Sequence, residues 1–309
     1  MVLRAAIAVY RVHWGLSSRA WFGSASQPSY LLPPPTTILG ALAKTLHDLG
    51  LLGTREFIIT SIGSGSILTS GAASIIKILG RRWWVSAAWL SPSIRTGILI
   101  RYFTGPYQSL KTRREDLPQK LAVHELFAPI KLGYTISPHG RVMVLVASED
   151  GDIDALKTGL QHVSRLGGKE SFVDPLAVFE AQLVEEHGVN EIVTPWLTLR
   201  ECVGNVYGNY VAEKTPVPRD ADELICSYSA EPCSKLNPSL TRFNVLREAI
   251  HPRYPGWVRV KINTDKCGVY RVESLNSVFP SKREPTIEYI LVHTRIVIPR
   301  VRDHGKEAG

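Results

Sequence analysis

Two kinds of residue in this chain could do chemistry, those that hold a phosphate and those that move a proton. The loop Arg165-Leu166-Gly167-Gly168-Lys169-Glu170-Ser171 joins paired glycines, which let backbone amides approach an anion closely, to two cations. The same loop also reads as a left-handed helix stop at Gly167, which leaves Gly168 and Lys169 without a task. A second anion site is suggested by Pro33-Pro34-Pro35-Thr36-Thr37. Three fixed φ angles lead into a helix starting at about Thr36, whose side chain can cap the first turn and whose free amides carry partial positive charge. A Pro-led core helix is the simpler reading of those residues alone. Cleaving RNA without a metal needs an acid and a base around a 2′-hydroxyl. His13, Tyr30, Lys44, His47 and His124 are candidates, but they are scattered without a defining spacing. His13, beside Trp14 at a strand end, reads most simply as a packed histidine. Gly63 and Gly65 match the start of a dinucleotide fingerprint, but Leu68 takes the third glycine's place and no phosphate loop follows, so nucleotide binding is not supported.

The elements that must position these groups follow from periodicity. Arg4 to His13 is β-branched and apolar enough for a strand. From Thr36, residues Ile38, Leu39, Leu42, Leu46 and Leu49 form one helical stripe that Gly50 ends. Arg141 to Ala147 is a second buried strand. Asp152 can cap a helix carrying Ile153, Leu156, Leu160 and Val163, and Phe172 to Val184 is a strand interrupted by Pro175. With one strand between Phe57 and Phe103, the order is β-α-β-β-α-β, an α+β arrangement of ferredoxin-like or RNA-recognition type. This unit is expected over 1–188, with an insertion at about 64–138. A small β-rich carboxyl domain is expected over 189–300, including short runs at Val206–Val211, Glu223–Tyr228 and Ile287–Ile298, followed by a polar tail over 301–309.

The insertion interleaves cations with rings: Arg81, Arg82, Trp83, Trp84, Trp89, Arg95, Arg101, Tyr102, Phe103, Tyr107, Lys111, Arg113 and Arg114. Arg and aromatic side chains in this mixture suit stacking on a single strand; the tryptophans also read as core. Net charge is +8, and residues 81–120 hold eight basic against two acidic residues. From Glu149 to Asn190 nine acids oppose three bases. The asymmetry points to a polyanion on one face. Cysteines at 202, 226, 233 and 267 have neither zinc-ligand nor dense disulfide spacing, so four reduced thiols and no metal or other cofactor are expected. Asn and Gln are scarce, which leans toward a thermophilic source. No secretory signal is visible. The uncharged run Ile58–Ile76 is too rich in Gly and Ser to span a membrane, so a soluble cytoplasmic chain is expected.

Two of these segments also carry a family resemblance. His13-Trp14-Gly15-Leu16-Ser17-Ser18-Arg19 with Pro28 to Ala43 resembles the amino-terminal signature of the fifth CRISPR-associated (Cas) protein family in its archaeal type I-A form. The block Arg165 to Ser171 is similar to that family's glycine-rich loop, and the resemblance covers roughly residues 4 to 185. It implies a non-catalytic subunit of a type I-A interference complex (Cascade) in antiviral defence, binding the 5′ handle of the guide RNA (crRNA). The implied partners are the guide RNA, the backbone and large subunits and, indirectly, target DNA. The insertion takes the place of the family's thumb-like extension over the guide. Some members of a different subtype cut their own guide precursor, so a metal-independent endoribonuclease is the alternative. The RNA-binding set expected on these grounds is Arg19, Thr36, Thr37, Lys44, Arg81, Arg82, Trp83, Arg95, Arg101, Lys111, Arg113, Arg114, Arg165, Gly167, Gly168 and Lys169.

Overall fold

The computed structural model describes residues 2–18, 26–53, 57–62, 65–91, 93–102, 129–168, 171–229, 245–253, 256–279 and 285–300. In chain order the first half contains β1 (Val2–Val12), β2 (Gly15–Leu16), β3 (Ser26–Gln27), α1 (Pro35–Asp48), β4 (Phe57–Ile62), β5 (Gly65–Ser70), α2 (Ile76–Leu79), β6 (Trp83–Trp89), β7 (Ile94–Tyr102), β8 (Pro129–Ile136), β9 (Gly140–Ser148), α3 (Ile153–His162) and β10 (Val173–Glu186). The second half contains β11 (Glu191–Thr194), β12 (Thr198–Leu199), β13 (Val203–Tyr207), β14 (Tyr210–Pro216), α4 (Ala221–Tyr228), β15 (Leu246–Pro252), β16 (Val258–Ile262), β17 (Cys267–Phe279), α5 (Pro285–His293) and β18 (Arg295–Pro299).

Six strands form the main sheet in the order β18-β17-β10-β1-β9-β6, antiparallel throughout. Within it β10, β1, β9 and β6 are neighbours, with α1 lying between β1 and β6 in the chain and α3 between β9 and β10. α1 and α3 cover one face: Tyr10 donates its hydroxyl to Leu160 O of α3 (2.6 Å), and Ile38, Leu39, Leu42 and Leu46 of α1 are almost fully buried. The Cβ that Gly159 lacks would lie 2.4 Å from Leu42 Cδ1, so this glycine lets the two helices approach. Pro175 sits where the β1–β10 register slips, opposite Tyr10, which accommodates a residue unable to donate to the ladder.

The helix start differs from expectation. Pro34 is the N-cap and Pro35 the first helical residue, so Thr36 lies inside the first turn and no side chain caps it. The chain ends the helix at Gly50 with φ +74°, a value glycine tolerates best.

The segment after α1 builds more than one strand. β4 pairs with β5, β6 enters the main sheet, and β7 pairs with β8, which also takes β2 and β3. β17 and β18 continue the main sheet beyond β10, and the main core cluster holds buried residues from both halves of the chain. Two runs expected to be strands contain helices. Asp220 caps α4 by accepting from Glu223 N, so Glu223–Tyr228 coils, and Ile287–Ile298 divides into α5 and β18.

The reduced-thiol expectation is also corrected. Cys202 and Cys267 form a disulfide with Cα atoms 5.5 Å apart across a separation of 65 residues. Cys226 is disulfide-bonded as well. Such pairing depends on which distant elements meet, which spacing along the chain does not encode. Among the described residues no helix is long and apolar enough to cross a membrane.

Candidate nucleic-acid interface

β1 leaves the sheet at Val12, opposite Gly140 of β9 and Val173 of β10. At this end the two motif segments, about 150 residues apart, bind each other. Gly168 N–H donates to Ser17 O (2.7 Å), and Ser17 N–H donates to Ser171 Oγ (2.8 Å). The loop closes on itself through Leu166 N to Ser171 O and Ser171 N to Gly168 O. From Ser18 the network continues into the segment before α1: Tyr30 N–H donates to Ser18 O, and Trp89 Nε1 donates to Leu31 O. The glycine loop and the amino end of α1 therefore share one end of the sheet.

The glycines serve this contact. Gly167 has φ +114°, and a Cβ there would meet Ser17 O at 2.6 Å. The close backbone approach they permit is to Ser17, and the Gly168 amide is already donated, so it is not an open anion donor. α3 itself stops at His162, before the glycines. Ser18 Oγ, against the same loop, is buried without a hydrogen-bond partner.

At the amino end of α1, Thr36 and Thr37 are half-buried. Pro35 has no N–H and Ile38 N–H is taken by Pro34 O, which leaves the Thr36 and Thr37 amides without a helical acceptor. Tyr228 of α4 donates its hydroxyl to Thr36 O and narrows access to this turn. Burial pushes the Tyr228 hydroxyl far above its usual range, so it stays a neutral donor.

Several predicted residues lie elsewhere. Arg81 and Arg82 precede β6 at the opposite sheet end, where Trp83 faces Ser148. The seven residues of β6 put about 20 Å between that end and the glycine loop. Arg81 donates Nε to Asp150 (3.0 Å) and its backbone N–H to the same carboxylate (2.8 Å), and Arg82 pairs with Glu149 (3.9 Å). The Arg81 hydrogen bonds hold the Asp150 carboxyl below its usual range. The basic and acidic stretches, whose asymmetry points to a polyanion on one face, meet here, because β6 and β9 are adjacent antiparallel strands. Trp83, expected to stack on RNA, is only 7 % exposed and belongs to the core with Trp84 and Trp89. Lys44 pairs with Asp48 one helical turn away (2.7 Å). Arg95 and Arg101 lie on β7, whose partner β8 binds β2 at the glycine-loop end. Arg19, Lys111, Arg113, Arg114, Lys169 and His124 lie outside the described residues.

The proton-transfer candidates separate similarly. His47 places its ring nitrogens near Gly53 O and Gly71 O, a structural clamp. Tyr30 is buried, and burial with the nearby Glu213 raises its hydroxyl well above the usual range. His13 is not packed: its side chain is 42 % exposed and its Nε2 lies 2.8 Å from Asp174. Among the described residues no group of three or more His, Cys, Asp or Glu could hold a metal ion.

Reasoning from sequence missed Arg11, Trp14 and Phe172 as site residues at the glycine-loop end. Trp14 is 70 % exposed, Phe172 is 45 % exposed, and the Arg165 guanidinium stands 4.6 Å from the Phe172 ring centre. Arg11 is exposed, and like Arg165 it makes no ion pair with a described residue. Their signal was the cross-strand register, since Arg11 faces both Asp174 and Arg141, and His13 N–H donates to Phe172 O.

No protein-family model matches this chain. It is similar to "CRISPR system aCascade subunit Cas5 1" of Saccharolobus solfataricus, 26 % identical over 176 residues, covering 56 % of this chain and 65 % of that protein. It is also similar to "CRISPR-associated protein Cas5 2" of the same organism, 27 % identical over 271 residues, covering 84 % of this chain and 89 % of that protein. Among solved structures it is similar to a CRISPR protein from Archaeoglobus fulgidus at TM-score 0.49 and 16 % identity, covering 90 % of this chain and 99 % of that one. A chain of a CRISPR RNA-guided surveillance complex gives TM-score 0.40 at 11 % identity, covering 84 % of this chain and 90 % of the other. The chain is Cas5-like, as its amino-terminal and glycine-loop motifs indicate.

Proposed function

We propose that this Cas5-like chain is a non-catalytic subunit of a type I-A Cascade that binds the 5′ handle of the guide RNA, using a ferredoxin-like, RNA-recognition-type unit. The observation that carries the reading is the lock between Ser17 and the loop Gly167–Ser171, which joins the two motif segments at one sheet end. That lock brings the loop carrying the exposed Arg165, and the exit of β1 that carries Arg11, to the sheet end where α1 begins, and in this reading these cations and the free amides of Thr36 and Thr37 hold phosphates of the handle. Arg95 and Arg101, carried by β7, are read as further contacts to the guide. The backbone and large subunits are its protein neighbours, and target DNA is met through the guide.

The test is to purify the chain with its native partners, sequence the RNA that accompanies it and map which end is protected from nuclease. Guide RNAs protected at a common 5′ end are expected. Absence of enriched guide RNA, or protection confined to the 3′ end, overturns the reading. The non-catalytic part has its own test: incubating the protein alone with repeat RNA in chelator leaves it intact. Specific cleavage that His13→Ala abolishes would establish an endoribonuclease instead.

A further inference from the structure

We propose that the exposed end of the main sheet carries a nucleobase-stacking surface, formed by Trp14 and by Phe172 with Arg165 over its ring, which takes unstacked bases of single-stranded RNA. The inference rests on the RNA-binding reading above and adds to it a subsite for bases rather than phosphates.

Side-chain direction supports it first. Tyr10 points to α3, so the even-numbered residues of β1 face the helices, and Arg11 and His13 turn to the opposite face. Asp174, opposite Arg11, reaches His13 on that same face, and Phe172 follows Asp174 by two residues. Arg11, His13, Asp174 and Phe172 therefore share the face that the helices leave open at this end.

Exposure supports it second. Trp83, Trp84, Trp89 and Trp196 are 0–7 % exposed and Trp257 is 41 % exposed, whereas Trp14, one residue beyond His13, is 70 % exposed, the most of the described tryptophans. Leaving an indole and a phenyl ring in water is unfavourable unless something covers them. Chemistry then chooses the partner. A guanidinium held over a ring presents an aromatic, cationic surface that suits an unpaired base and its phosphate, and bases splayed from single strands are read on such groups. Asp174 is engaged by His13 at 2.8 Å, while Arg11 and Arg165 make no ion pair with a described residue, so the patch carries net positive charge. An apolar protein partner would not call for those two cations.

The test uses the full-length chain, an oligo(A) ribonucleotide of about ten residues, and the same oligomer with abasic sites throughout. The expected results are that the intact oligomer binds more tightly than the abasic one, and that Trp14→Ala and Phe172→Ala each weaken the intact oligomer about tenfold. Both variants leave abasic binding and the salt slope unchanged, Trp14→Phe restores affinity, and Arg11→Ala shallows the salt slope by about one. If the wild type binds both oligomers equally in a salt-dependent manner, the stacking surface is refuted and the RNA-binding reading survives. If neither oligomer binds, both fall. Equal loss of both oligomers in Trp14→Ala, with an unchanged thermal melt, also refutes stacking and leaves a phosphate or protein contact in its place.

Discussion

Removing the Cys202–Cys267 cross-link tests how the second half of the chain is fastened to β17 of the main sheet. Cys202 sits in the turn before β13 and Cys267 opens β17, and the two are 0 and 1 % exposed. Replacing both with Ala opens a loop of 65 residues in the unfolded chain. The chain-entropy relation assigns such a loop about 4 kcal/mol of stabilisation. Typical domains are stable by only about 5–15 kcal/mol, so the loss is a large fraction of the total. The missing sulfurs add a small packing loss of the same sign. The assay is guanidinium unfolding of the wild type and the double variant, followed by two probes to check that the transition is two-state. A midpoint shift equivalent to about 4 kcal/mol is expected, with little change in folded spectra. Thiol titration of the wild type in denaturant without reductant should find no reactive thiol. Two titratable thiols, or a variant within about 0.5 kcal/mol of the wild type, would refute the reasoning.

Two further predictions concern the sheet and its glycine loop. Gly167→Ala forces a Cβ against Ser17 O at φ +114°, so it should destabilise the protein by about 1–3 kcal/mol, read by thermal melt, with RNA affinity falling only as far as folding does; an unchanged melt with lost RNA binding would make the glycine a ligand contact. Glu180 accepts from Lys157 (2.6 Å) and Arg4 (2.8 Å), which holds its carboxyl below the usual range. Because the folded value is depressed, this stabilisation is complete above the unfolded glutamate range and fades as pH falls through the folded value. Glu180→Gln should therefore flatten the acid limb of the stability profile and leave the region above neutrality parallel to wild type, and an acid limb of unchanged slope would count against it.

The local signals in the sequence were those that periodicity writes directly. α1 and α3 follow from stripes of Leu and Ile, and Asp152 caps α3 as its type suggests, accepting from Ala155 N. β1, β9 and β10 were readable because apolar runs of that length at the centre of a sheet have few other uses. What failed was long-range. The tryptophans of β6 looked like an RNA platform because their cationic neighbours are adjacent in sequence, yet a strand buried on both faces reads as a continuous apolar run and its flanking arginines turn to the acids just after β9. The disulfide was invisible for the same reason.

Charge along a chain is not charge on a surface, and the candidate site illustrates this most clearly. The densest described cations, Arg81 and Arg82, are paired with Asp150 and Glu149, while Arg11, opposite Asp174, and Arg165, bridged to Phe172, stand apart in sequence and come to the same sheet end only when β1 and β10 align. A polyanion responds to the second pair more than to the first, because a cation already bonded to a carboxylate must give up that partner before it can hold a phosphate. The glycine loop bridges the two levels. Its sequence marks it as a place where backbones come close, and the fold reveals that the backbone it meets is that of Ser17, which fixes the exit of β1 and with it the direction in which Trp14 and Arg11 are presented.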